Sequence, residues 1–155
     1  MEQRASTVVL DLAGEDTWWI RKEKFPADSL AAGNALRFTR LYLHADFEHV
    51  FVDIEDASAV AGVLMANAVR HARVPEYAQI TVEWALLASG DVVIQVRDRR
   101  RDFPDFDEVM KWEPAEGDRP RGLWIARRRG AEIAYAPVDD GKVVQALITP
   151  RALAD

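Results

Sequence analysis

Hydrophobic residues recur along this chain at helical spacing in some segments and at every second position in others. Apolar residues three and four apart predict two helices. The first is capped by Asp28 or Ser29 and runs through Leu43, and the second is capped by Asp53 or Asp56 and ends near Arg73. Alternating apolar and polar residues predict strands instead. These lie at 7–12, 18–25, 80–86, 92–96, 133–136 and 143–148. Residues 50–54 fit a short strand or a direct lead into the second helix.

The order of these elements predicts an α+β fold. Strands, two helices, a hairpin, a long loop, a short helix and a final hairpin follow one another, which favours a two-layer sandwich with helices on one face of a mostly antiparallel sheet. The loop, residues 99–120, is long enough for a functional lid or a disordered segment, and one helical turn is expected around Phe106. Residues 122–129 predict a short helix closed by Gly130.

Composition narrows the class of protein. A chain of 155 residues with 49% apolar content is expected to form one domain, 1–155, in which residues 1–17 add an extra strand. The net charge of −6 gives no broad attraction to nucleic acid or an anionic membrane. Without cysteine, with three scattered histidines, and without a long apolar run or signal-peptide core, the chain is expected to be cytoplasmic.

Polar residues on the second predicted helix are the first candidates for a site. Asn67 and His71 lie one turn apart at the edge of its apolar stripe. They are compatible with the border of a core or with a binding site. A second candidate is a group of arginines, which fits a solvated face or an anion-binding rim. They are Arg97, Arg99, Arg100, Arg101, Arg119 and Arg121.

Four short motifs follow one another along the chain. They are 65–72 around Asn67, 96–98 ending in Asp98, 121–124 around Gly122, and 141–144 beginning with Gly141. In type, order and spacing they resemble the Bergerat-fold ATPases of the GHKL superfamily, and among these the actinobacterial anti-sigma-factor serine kinases. The resemblance covers residues 18–149.

The resemblance implies a site for ATP and Mg²⁺. Asn67 would help to hold Mg²⁺, which prefers oxygen ligands, and Asp98 would accept a hydrogen bond from the adenine amino group. The segment around Gly122 would offer backbone N–H groups to phosphate. The residues that the resemblance places at the nucleotide are Asn67, His71, Asp98, Arg121, Gly122 and Leu123.

Several nucleotide-facing positions depart from the family pattern. Val63 stands where the family has a glutamate that activates the attacking group, and a valine accepts no proton. Arg100 and Asp102 stand where the family has glycines that allow close approach of the nucleotide. Pro120 replaces the first glycine of the lid motif, and Lys142 and Val143 replace hydroxyl residues after Gly141.

Three functions follow from the resemblance and its departures. The first is a non-catalytic, anti-sigma-factor-like regulator of transcription that binds a sigma factor or an anti-anti-sigma-like antagonist, with a homodimer as a possible form. The second is an active ATP-dependent serine/threonine kinase in which Glu55 or Asp56 replaces the missing base. The third is a nucleotide or small-ligand sensor. Nucleic acid and membranes are not expected as partners.

Six aromatic residues fit core packing or a protein-binding surface. They are Trp18, Trp19, Phe38, Tyr42, Phe47 and Phe51.

Overall fold

A computed structural model describes residues 8–72, 78–100, 103, 106–119 and 122–150, without the side chains of residues 71 and 72. Within these residues the helices and strands follow one another as β1 (Thr17–Pro26), α1 (Ala31–Ala45), α2 (Ile54–Ala72), β2 (Gln79–Leu87), β3 (Val92–Asp98), α3 (Phe106–Lys111), α4 (Leu123–Arg128), β4 (Ala131–Val138) and β5 (Gly141–Ile148). Two short 3₁₀ helices lie at Leu12–Gly14 and Phe47–His49.

The strands form one sheet in the order β1-β2-β3-β5-β4, and every neighbouring pair is antiparallel. Between β3 and β5 the chain leaves the sheet to form α3 and α4, and it returns through β4 on the far edge. The expected α+β sandwich with a mostly antiparallel sheet is therefore confirmed.

The main core lies between the sheet and the two long helices. Alternate residues of β2 face it, and Trp84 is its largest fully buried side chain. The indole N–H of Trp84 donates to Thr39 Oγ1 over 2.8 Å, and that hydroxyl donates to the Ala35 carbonyl over 2.7 Å. A polar link between α1 and the sheet is thus satisfied inside the core.

The helix boundaries follow local chemistry. Asp53 Oδ1 accepts from the backbone N–H of Asp56 over 2.9 Å, so Asp53 caps α2 as the sequence predicts. Residues 50–53 are not a strand and lead directly into that helix. Neither predicted cap of α1 is correct: Asp28 accepts from Leu30 N and forms a turn, and Leu30 is the N-cap of a helix that begins at Ala31.

The strand predicted over residues 7–12 is also wrong for the part that is described. Residues 8–11 form no strand, and a 3₁₀ helix begins at Leu12. Their alternation has another cause, because Leu10 and Leu12 pack on the sheet face that the long helices leave uncovered. Gln145 of β5 holds this segment in place, accepting from Leu10 N over 2.9 Å and donating to Leu10 O over 3.0 Å.

Candidate functional site

Helix α2 carries the residues that the first motif singled out. Asn67 is 6% exposed, and its amide nitrogen has no hydrogen-bond acceptor among the described residues. Val63, one turn earlier, is half-buried and packs against the core. His71 lies in the last turn of α2, but its side chain is outside the described part of the chain. Within the described residues, the helix therefore presents a buried amide without an acceptor and an apolar side chain one turn before it.

Asp98 ends β3 and faces the helix layer. In the antiparallel register its partner is Lys142 of β5, and the two side chains are each 1% exposed. Both carboxylate oxygens lie 3.0 Å from Lys142 Nζ. Only the contact of Oδ1 with Nζ has hydrogen-bonding geometry. Oδ2 has no hydrogen-bond partner among the described residues, so its contact with the ammonium is ionic only. The two residues form a buried ion pair.

Backbone and aromatic groups complete the surroundings of this pair. The Arg100 backbone N–H donates to Asp98 Oδ1 over 2.9 Å, and the Arg100 carbonyl accepts from Lys142 Nζ over 3.2 Å. The ammonium also lies 5.6 Å from the centre of the Phe103 ring, within the range of a cation–π contact. Phe103 itself packs against Phe106 and Tyr135, at centroid distances of 5.0 and 5.5 Å.

Gly141 explains how the two strand ends come together. A Cβ at this position would lie 1.7 Å from the Asp98 carbonyl oxygen and 2.8 Å from Arg99 Cα. Only glycine allows so close an approach of two backbones. Val143, the next departure from the family pattern, is 4% exposed and lies on the other face of the sheet from Lys142.

The lid motif is described in part. Gly122 precedes α4 with φ of 61°, in the region that favours glycine, and Leu123 is 1% exposed in the core. Of the remaining residues predicted at the nucleotide or as departures, Asp102, Pro120 and Arg121 lie outside the described residues. Within the loop over 99–120, α3 confirms the helical turn expected around Phe106.

The two carboxylates considered as replacement bases are held elsewhere. Glu55 binds Arg40 of α1 through both oxygens, at 2.7 and 2.9 Å, and this contact lowers the pKa of its carboxyl. Asp56 Oδ1 accepts from Arg129 over 2.9 Å. Since α2 rises about 1.5 Å per residue, Glu55 lies roughly 18 Å along the axis from Asn67. Neither carboxylate reaches the region of Asn67.

Four of the six arginines lie within the described residues, and they have different surroundings. Arg97 is exposed on the sheet face opposite Asp98, and it lines an open groove with Arg99, Lys24 and Asp140. Arg119 is exposed in the loop after α3, whereas Arg100 lies beside the ion pair. Arg101 and Arg121 are outside the described residues.

The six aromatic residues divide into two sets. Trp19, Phe38 and Tyr42 pack against the main core. Trp18, Phe47 and Phe51 are 59, 65 and 66% exposed. The Trp18 ring stacks on His49 at a centroid distance of 4.9 Å, and His49 lies two residues from each exposed phenylalanine. We call Trp18, Phe47, His49 and Phe51 the aromatic surface.

In the part of the chain that the structure describes, no group of three or more histidine or acidic side chains could hold a metal ion. Among the same residues, no helix is both long and apolar enough to cross a bilayer.

The two-layer arrangement of helices and sheet is found in solved structures. The chain superposes on the RsbU and RsbW domains of Rv1364c from Mycobacterium tuberculosis with a TM-score of 0.60 and 19% sequence identity, covering 87% of this chain and 33% of that one. It superposes on the SiaB–SiaC complex from Pseudomonas aeruginosa with a TM-score of 0.57 and 18% identity, covering 83% of this chain and 88% of that one. No protein-family model and no curated protein matches the sequence.

These similarities define the class of fold. At 18 and 19% identity the likeness shows the fold alone, and it agrees with the expected two-layer α+β sandwich. The chain spans one third of the Mycobacterium tuberculosis chain, so the similarity does not assign the function of that whole protein to this chain. The pairing of Lys142 with Asp98 was missed by sequence reasoning. The one available signal was a lysine inside the apolar run of β5, because lysine is seldom fully buried without a partner.

Proposed function

We propose that this protein is an anti-sigma-factor-like regulator that acts by binding another protein and does not transfer phosphate. The partner is a sigma factor or an anti-anti-sigma-like antagonist. The neighbours in fold include an RsbW domain and a complex of SiaB with SiaC, and these support a partner-binding role for the fold.

The observation that carries the proposal is Val63. It occupies the turn before Asn67, where the resemblance places a general base, and it is a half-buried apolar residue. Losing a positioned base costs about 10²–10⁴ in rate. Glu55 and Asp56 are engaged by Arg40 and Arg129 at the other end of α2. An active kinase is therefore the weaker candidate.

The aromatic surface supports binding of a protein. Exposed aromatic side chains that lie close together are typical of interaction sites, since they bury a large apolar area with little loss of side-chain entropy. Here Phe47 and His49 belong to the 3₁₀ helix between α1 and α2, Phe51 follows two residues later, and the Trp18 ring lies against His49. We place the partner on this surface, away from the Asp98 site.

The test is to combine the purified protein with each sigma factor and each anti-anti-sigma-like protein encoded in its source genome. Complexes are detected by size-exclusion chromatography with light scattering, with and without Mg²⁺ and radiolabelled ATP. We expect a stable complex with one of these proteins, unchanged by nucleotide, and no label on the partner. Nucleotide-dependent labelling of a partner serine would overturn the proposal.

Three variants sharpen this test. Phe51→Ala is expected to weaken the complex about tenfold or more, as for an anchoring aromatic residue. Leu30→Ala removes a side chain that is 64% exposed at the other end of α1, and it is the matched control. Val63→Glu restores a carboxylate before Asn67, and on its own it is expected to leave phosphate transfer at background.

A further inference from the structure

A charged side chain lies inside the end of the sheet. Lys142 is the second residue of β5, between Gly141 and a run of apolar residues, and it is 1% exposed. The other three lysines of the chain are exposed. A buried ammonium must have its charge and its three N–H donors compensated, because an isolated buried charge is very costly.

The surroundings of Lys142 meet this requirement. The Asp98 carboxylate lies 3.0 Å from Nζ, the Arg100 carbonyl lies at 3.2 Å, and the Phe103 ring covers another side. These groups come from the end of β3 and the first residues of the following loop. Gly141 brings β5 against the Asp98 backbone and so sets the position of the lysine. The lysine is therefore held by groups that the fold has arranged around it.

This arrangement does not fit an adenine nucleotide. In the family that the motifs resemble, the aspartate at this position accepts a hydrogen bond from the amino group of the base. Here the ammonium of Lys142 is within contact distance of both oxygens of that carboxylate. A base would have to displace the lysine and leave a buried charge without its partner, which is strongly unfavourable.

We propose that Lys142 occupies the position beside Asp98 where the family that the motifs resemble would bind the base. Its ammonium makes the contact with Asp98 that a base amino group would make, and it excludes adenine nucleotides from this position. Lys142 is thus the residue that determines whether a base binds at Asp98. This inference concerns the chain alone and does not depend on the identity or existence of a protein partner.

The first test uses the unmodified protein. ATP, ADP and adenosine, each at millimolar concentration with and without Mg²⁺, are expected to leave the melting temperature unchanged, since a ligand that binds only the folded state would raise it. A rise in melting temperature that saturates with ATP or adenosine would overturn the proposal.

The second test removes the ammonium group beside Asp98. Lys142→Ala leaves Asp98 buried without its cation, and we expect the melting temperature to fall by about 10 °C. Propylammonium ions carry the missing N–H donors and are expected to restore part of this loss. Tetramethylammonium at the same ionic strength has no N–H donor and is expected to restore none. Equal effects of the two ions would contradict the proposal.

Lys22→Ala is the matched control for the second test, because it removes an exposed lysine from β1. It is expected to change neither the melting temperature nor the response to propylammonium.

A third measurement does not require a folded variant. Reductive methylation of the native protein is expected to modify Lys22, Lys24 and Lys111 while Lys142 stays unmodified, as read by peptide mass spectrometry. Modification of Lys142 at the rate of the exposed lysines would overturn the inference, whatever the behaviour of Lys142→Ala.

Discussion

Single polar groups inside the core specify how the two layers meet. The Trp84 indole and the Thr39 hydroxyl are both fully buried, and the indole N–H has the Thr39 hydroxyl as its acceptor. A buried donor without an acceptor costs about 1–3 kcal/mol, which is more than a satisfied hydrogen bond contributes. The pair therefore favours one alignment of α1 on the sheet.

Thr39→Val tests this pair, because valine has nearly the same shape but no hydroxyl. We expect a loss of about 1–3 kcal/mol in the free energy of unfolding, measured by chemical denaturation. Thr39→Ser keeps the hydroxyl and is expected to lose less. The double variant Thr39→Val/Trp84→Phe no longer has the indole N–H that Thr39→Val leaves without an acceptor. Its loss in the free energy of unfolding should therefore be smaller than the sum of the losses in the two single variants. Additive losses would show that the hydrogen bond has no coupling energy.

At the scale of elements, the end of α1 is tied to β1 and to the following 3₁₀ helix through one carboxylate. Asp46 accepts from the Trp19 indole over 2.9 Å and contacts His49 Nδ1 at 2.7 Å. The hydrogen bond with Asp46 raises the pKa of His49 above 6.5, and the same hydrogen bond, followed by that of Trp19, lowers the pKa of Asp46 below 3.8.

The sign of the pH dependence follows from these directions. The contribution of His49 is fully present below its unfolded pKa and is lost as pH rises through its higher folded pKa. The contribution of Asp46 is present above its unfolded pKa and is lost as pH falls through its lower folded pKa. The pair therefore stabilises the junction most at mildly acidic pH, above the unfolded-state pKa of Asp46 and below that of His49.

Asp46→Asn is expected to lower the pKa of His49 towards 6.5, because the amide keeps an acceptor for Trp19 but carries no charge. The measurement is an NMR titration of the His49 ring protons in both proteins, with His49→Gln used to assign the signal. An unchanged midpoint would show that Asp46 does not set the charge state of His49.

The contact between the start of β5 and the end of β3 is a second feature at this scale. In Gly141→Ala, the added methyl carbon would lie 1.7 Å from the Asp98 carbonyl oxygen, so the two strand ends must separate. We expect a loss of more than about 3 kcal/mol in the free energy of unfolding, since backbone atoms cannot rotate away.

Gly62→Ala is the control for this prediction. Gly62 lies inside α2, and a methyl group there would meet its nearest atom, the Ala32 carbonyl oxygen, at an ordinary 3.5 Å. Alanine is favoured over glycine in a helix by about 0.5–1 kcal/mol, so this variant should be at least as stable as the parent. Equal losses in the two variants would show that strand contact is not the cause.

At the scale of the whole molecule, the sheet is covered on both faces. The long helices cover one face, and the N-terminal segment lies across the other, where Leu12 packs with Ala85, Leu87 and Val93. Gln145, which is 3% exposed, joins the segment to β5 and also donates to Gln95 over 2.8 Å. The described segment before β1, residues 8–16, is therefore part of the fold, although it adds no strand.

Leu12→Ala is expected to lower the free energy of unfolding by about 2 kcal/mol, because a buried leucine is cut back without collapse of the site. Hydrogen exchange should increase in β2 and β3, whose outer residues Leu12 covers. Val8→Ala, at a residue that is 72% exposed, should change neither quantity. Equal behaviour of the two variants would mean that the segment does not stabilise the sheet.

The sequence by itself determined the types and order of most elements, because helical and alternating periods are local properties of the chain. It correctly assigned β1, both long helices, both hairpins and the turn at Phe106, and it located Asp98 at a strand end. It was wrong at residues 8–12. An alternating apolar pattern shows only that one face of a segment is buried, and it does not distinguish a paired strand from a segment lying on a sheet.

Only the tertiary structure decided what Asp98 contacts. The register that pairs Asp98 with Lys142 joins residues 44 positions apart, across a connection that contains α3, α4 and β4. Such a register depends on the close approach at Gly141 and on packing of the whole sheet, and no local pattern encodes it. The sequence placed an aspartate and a lysine at two strand ends, and the fold made them one buried ion pair.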